Sequence, residues 1–164
     1  RDLAHRGCPT GTDTMAYPDD DRTRALAEAL IEAGRCFSAR GWVPATSGNF
    51  SARLDDGTAL ITVSGRHKGR LTPDDLMCVD AAGRSRTPGC RPSAETGLHL
   101  QLYARDPAIG AVLHTHSVAA TVLSTLVHDA LVLHDLEVLK AFPGVGTVLG
   151  GALAVLLRSL QEAR

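Results

Sequence analysis

The apolar run Ala111-Val-Leu113, ending in His114-Thr-His116, constrains this chain more than any other stretch. It is short, it follows the helix-breaking pair Asp106-Pro107, and it reads as a buried strand. An extended backbone sends alternate side chains to one face, so His114 and His116 point the same way and Thr115 points the other. Two imidazoles so placed suit a divalent metal such as zinc. The plainer alternative is one histidine in the core and one capping the next helix; spacing alone does not separate the two. Glu95, in the nearby run Arg91-Pro-Ser-Ala-Glu-Thr96, is a candidate third group.

Composition limits what surrounds this pair. The chain has 164 residues, enough for one domain with a real core and too few for two comfortable ones. An apolar content of 44% with 21% charged residues is that of a globular protein. A net charge of -1 favours neither nucleic acid nor an anionic membrane as partner. No apolar run reaches the roughly 20 residues of a membrane span, and Arg1-Asp-Leu-Ala-His-Arg6 has no export-signal core. Cys8, Cys36, Cys78 and Cys90 lie far apart, which suggests neither a zinc finger nor a disulfide framework and fits a reduced, cytoplasmic setting.

Taken in order, residues 1–18 lack periodicity and are expected to form a disordered tail before a single domain over 19–164. Asp19-Asp-Asp21 favours the N-terminus of a helix running to about Arg40, with Leu26, Leu30, Ala33 and Phe37 as its apolar stripe. Gly41 ends it. Phe50–Leu54 and Ala59–Val63 form a hairpin around Asp55-Asp-Gly-Thr58. Thr72-Pro-Asp-Asp75 resembles a helical first turn, followed by a strand over Leu76–Asp80. Ser93 can cap a helix to about Arg105 that buries Leu98 and Leu102. After the His-Thr-His strand come a helix from Ser117 to about Leu126, an apolar strand ending near Leu133, and a helix capped by Asp135 that carries Glu137 and Lys140. Leu153, Leu156, Leu157 and Leu160 lie on one face of a final helix over 149–164. The alternation of hairpin strands and helices points to α/β layers around a mainly antiparallel sheet.

Two loops carry the small polar residues that cradle phosphates. Ala45-Thr-Ser-Gly-Asn49 offers hydroxyls, an amide and accessible backbone N–H groups; Ser64-Gly65 is a similar element, with Lys68 available to supply charge. Each alone is also an ordinary turn. Glu95 and Glu137 are the carboxylates to follow as proton carriers once desolvated, although each alone is also an ordinary solvated helix residue. His99, one helical turn beyond Glu95, reads as structural, and His67, His128 and His134 stay unassigned.

Together, Ala45-Thr-Ser-Gly-Asn49, Val63-Ser-Gly65, Pro92-Ser-Ala-Glu-Thr96 and His114-Thr-His116 resemble the class II aldolase family, in the family's order, across about Arg22 to Gly146. Arg40-Gly-Trp-Val-Pro-Ala-Thr-Ser-Gly-Asn49, Ser64-Gly-Arg-His-Lys68 and Leu136-Glu-Val-Leu-Lys-Ala-Phe-Pro-Gly144 resemble its dehydratase branch. The resemblance implies a zinc-dependent lyase that removes water from a methylthio-substituted ketose phosphate in methionine salvage. It implies zinc on His114 and His116, Glu137 as catalytic acid/base, and Glu95 as ligand or second proton carrier. It implies phosphate contacts from Ser47, Gly48, Asn49, Ser64, Gly65 and Lys68, and a homotetramer. Another sugar-phosphate aldolase or epimerase is the alternative, as is a non-catalytic member. The family's third zinc histidine has no counterpart after His134, and the pattern fades near 147, as in a truncated or rearranged chain.

Overall fold

The computed structural model describes residues 17–126, 131–134 and 152–155. The expectations for the tail over 1–16, for His128, and for the helix carrying Glu137 and Lys140 lie outside the described residues. Two compact units divide between Ser117 and Val118.

The first unit is a four-stranded antiparallel sheet with a helix on each face. Helix α1 spans Asp21–Ala39, with Asp20 at its N-cap accepting a 2.8 Å hydrogen bond from the Thr23 N–H. Gly41, at φ +70°, ends it as expected. Strands β1 (Asn49–Arg53) and β2 (Ala59–Thr62) form the expected hairpin, and β3 (Leu76–Val79) pairs with β2 after a tight turn over Pro73–Asp75. Helix α2 spans Thr96–Arg105, and β4 (Ala111–His114) pairs with β1, giving the order β3-β2-β1-β4.

Alternation along the strands sorts side chains between the two helices. Phe50 and Ala52 of β1, Leu60 of β2, and Leu76 and Cys78 of β3 join Ala27, Leu30 and Ile31 of α1 in one core. Ile61, Met77 and Val79 face the other way and pack with Tyr103, Leu100 and Val112. With both faces covered, β1, β2 and β3 are buried almost throughout.

Several expectations are corrected. The buried stripe of α1 runs through Ala27, Leu30, Ile31 and Gly34, with Leu26 and Phe37 only partly buried at its flanks. Helix α2 buries Thr96, His99 and Tyr103, while Leu102 is exposed: this face meets polar groups of the sheet, which the apolar period cannot reveal. Among the described residues β4 lies at the edge of the sheet, its Leu113 exposed, where a buried strand was expected. Tyr17, assigned to the tail, is buried in the α1 core. Cys36 and Cys78 are free thiols.

The second unit has helix α3 (Val118–Leu126) and an antiparallel pair, β5 (Leu131–His134) and β6 (Ala152–Val155), with Leu131 opposite Val155 and His134 opposite Ala152. Strand β6 replaces part of the helix expected over 149–164; a short apolar run satisfies either period, and here cross-strand pairing decides. Among the described residues no helix is long and apolar enough to cross a membrane.

Candidate metal centre

Antiparallel pairing gathers the chemistry-bearing segments at one end of the sheet. The start of β1 lies opposite the end of β4, with Asn49 paired to His114. β2 ends there too: Val63 bridges to Pro92, and the Ser64 N–H donates to the Arg91 carbonyl at 3.0 Å. The bridge delivers the turn that opens α2, and with it Glu95. Parity does the rest. Asn49, Ser51 and Val112 face α2, so His114, two residues beyond Val112, faces it as well.

Glu95, His114 and His116 come together as a result, their ligand atoms all within 4.8 Å of one another. The two imidazoles lie with ring centroids 4.6 Å apart, as their shared face requires. Glu95 Oε2 is 3.1 Å from His114 Nδ1. That nitrogen is buried and yet makes no well-formed hydrogen bond; short distance without hydrogen-bond geometry is what two ligands leave around a common cation. Ligands about 2.0–2.1 Å from a tetrahedral zinc ion lie about 3.4 Å from each other, so the pair fits a metal of this size. The donor set, two imidazoles and a carboxylate, matches the chemistry of catalytic zinc. The His116 N–H donates to the Trp42 carbonyl at 2.8 Å, tying the loop after α1 to the metal-facing segment.

Loop 44–48 packs beside this group. Gly48 adopts φ +74°, and a Cβ there would fall 2.6 Å from the His114 carbonyl oxygen and 2.8 Å from Val43 Cγ1. Glycine is thus required for the loop to touch the end of β4. The Ser47 hydroxyl oxygen is buried without a hydrogen-bond partner. Ser64 and Gly65 are exposed at the end of β2, with Gly65 at φ +77°.

Two residues expected to touch a phosphate have their side chains committed elsewhere. Lys68 is 2% exposed, and its Nζ donates to the carbonyls of Thr46 (2.8 Å) and Arg66 (2.6 Å). Burial lowers its pKa to about 8, against a smaller opposing pull from Glu95. It braces the two loops from beneath and does not reach out to solvent. Gly34 of α1 makes room for this brace, since a Cβ there would sit 2.3 Å from the Lys68 carbonyl oxygen. The Asn49 amide is buried as well: its Nδ2 donates to Glu95 Oε2 and its Oδ1 contacts His99 Nε2. His67 turns its Nδ1 to the Gly69 N–H at 3.1 Å. Glu137 lies outside the described residues.

Sequence reasoning missed the groups behind Glu95. His99 Nδ1 contacts the Ser51 hydroxyl at 2.6 Å, which contacts the Tyr103 hydroxyl at 2.7 Å. Arg53 closes the series, its guanidinium 4.7 Å from the Tyr103 ring centroid and bonded to the Tyr103 carbonyl. The available signal was the spacing of Glu95, His99 and Tyr103 at i, i+4 and i+8, one stripe of a helix.

The family model described as Class II Aldolase and Adducin N-terminal domain matches residues 28–150. Curated relatives include methylthioribulose-1-phosphate dehydratase of Pseudomonas paraeruginosa, 63% identical over 129 residues, covering 78% of this chain and 63% of the relative. The same-named protein of Methylococcus capsulatus is 61% identical over 128 residues, covering 78% and 62%. The chain therefore spans rather less than two thirds of these relatives' length. Among solved structures, L-fuculose-1-phosphate aldolase of Thermus thermophilus is similar with a TM-score of 0.57 at 37% identity, covering 71% of this chain and 57% of that one. YgbL, a putative aldolase/epimerase/decarboxylase of Escherichia coli, is similar with a TM-score of 0.58 at 38% identity, covering 62% and 48%.

Proposed function

This chain belongs to the class II aldolase and adducin N-terminal domain family, and from that premise we propose that it carries the site of a zinc-dependent dehydratase acting on 5-methylthioribulose 1-phosphate. The observation that carries the reading is the unbonded His114 Nδ1 set 3.1 Å from Glu95 Oε2 beside His116. The high identity to relatives named for this reaction supports the substrate. We take 19–164 as one family domain, since the family match runs across the division at Ser117, and a homotetramer as its working form.

Bound zinc supplies a Lewis acid that polarises the ketose carbonyl. The protein's own groups do the rest. A proton leaves the carbon beside that carbonyl, hydroxide departs from the next carbon as water, and the resulting enol ketonises to a diketone phosphate. Glu137 and Glu95 are the proton carriers we assign to these transfers. Ser47, with its buried unpartnered hydroxyl, and Gly48, Ser64 and Gly65 hold the phosphate at the sheet end. Asn49 and Lys68 serve that site from behind, one holding Glu95 and the other bracing the loops.

The zinc-supplemented chain incubated with 5-methylthioribulose 1-phosphate is expected to give a product lighter by a water, with no carbon–carbon cleavage. Cleavage of this substrate or of L-fuculose 1-phosphate into two fragments would replace the dehydratase reading by the aldolase one, which the likeness to the Thermus thermophilus structure favours.

A further inference from the structure

Behind Glu95 the polar groups form a single series with a definable direction. An ionised carboxylate only accepts hydrogen bonds, so Asn49 must turn its NH2 toward Glu95 and its carbonyl oxygen toward His99. His99 Nε2 must then carry a proton, which leaves Nδ1 of the neutral ring as an acceptor. The Ser51 hydroxyl consequently donates to Nδ1, and its oxygen is free to accept from the Tyr103 hydroxyl. Each group has one role left once its neighbour is fixed. Asn49, Ser51 and His99 are each at most 2% exposed, so no water competes for those roles.

We propose that His99 is a positioning residue for the metal-site carboxylate: acting through Asn49, and held in the Nε2–H tautomer by Ser51 and Tyr103, it sets the direction in which Glu95 presents its oxygens to His114. The inference rests on the reading of Glu95 as part of the metal site. Burial keeps His99 neutral, lowering its pKa to about 4 with a further push from His114, in agreement with a ring that has one donor and one acceptor. The geometry is independent of that value. If His99 took the other tautomer, Asn49 would have to give its N–H to the ring and turn its carbonyl to the carboxylate, placing two acceptors face to face. The tautomer is thus transmitted along the amide to the metal side of Glu95.

The test is Zn2+ affinity by chelator competition in wild type, Glu95→Gln, His99→Leu and His99→Gln, with thermal unfolding as a folding control and 15N NMR of the wild-type imidazoles. Glu95→Gln is expected to weaken Zn2+ binding. His99→Leu is expected to weaken it by about 10- to 100-fold, the usual loss when a group orienting a ligand is removed. His99→Gln, whose terminal N–H can still reach Asn49 Oδ1, is expected to restore most of it. A folded His99→Leu with wild-type affinity, alongside a weakened Glu95→Gln, would overturn the inference. Wild-type affinity in Glu95→Gln would instead overturn the metal role of Glu95 itself. Should His99→Leu fail to fold, the NMR decides: an Nε2–H signal from His99 supports the relay, and an Nδ1–H signal overturns it.

Discussion

His99 and Lys68 are both buried ionisable groups held by neutral partners, and burial pushes both toward their uncharged forms. For His99 the consequence is a pH-dependent stability. Its pKa is about 4 in the folded chain against 6.5 for an ordinary histidine, so between those values the unfolded chain binds a proton that the folded chain refuses. Stability is therefore full above about 6.5 and falls as the pH drops toward 4, by on the order of 3 kcal/mol. Urea unfolding across that window should show the slope in wild type and its loss in His99→Gln; equal slopes would mean that His99 is not the titrating group. The meeting of Glu95, His114 and His116 was legible in the sequence, because strand parity alone aligns the two histidines. Asn49 and Lys68 were read as phosphate contacts for their chemistry. Their side chains serve other groups because burial is a property of neighbours such as Gly34 and His99, which are distant in sequence.

Helix α2 and strand β1 run side by side as a polar zipper. Two residues of a strand advance about 6.6 Å and one four-residue step of a helix about 6.0 Å, so the two repeats stay in register over two steps. Glu95 meets Asn49, His99 meets Asn49 and Ser51, and Tyr103 meets Ser51 and Arg53. Tyr103→Phe removes the donor to Ser51, whose hydroxyl keeps its bond to His99. Chemical denaturation should register a loss of about 0.5–1.5 kcal/mol; an unchanged midpoint would show that the tyrosine hydroxyl contributes nothing to the seam. Hydrophobic periodicity located the hairpin, α1 and β3 because apolar packing specifies them. It misplaced the buried face of α2, where Leu98 and Leu102 were expected and His99 and Tyr103 are found, because hydrogen bonding specifies that face. It likewise read 152–155 as helix, where pairing with β5 makes a strand.

At the scale of the molecule, an antiparallel sheet closed on both faces brings segments separated by more than sixty residues to one end, as the Asn49 pairing with His114 illustrates. The order of the motifs in the sequence pointed to the family, and the family match spans most of the chain. No histidine follows His134 in the sequence, and Glu95, His114 and His116 are the groups that the sheet end brings together. The most direct measurement is therefore the metal content of the purified chain, in wild type and in His114→Ala. A centre built on these residues requires about one zinc ion per wild-type chain and its loss in the variant, with the fold retained. A folded wild-type chain that takes up no zinc, or a His114→Ala variant that keeps it, would contradict the metal centre.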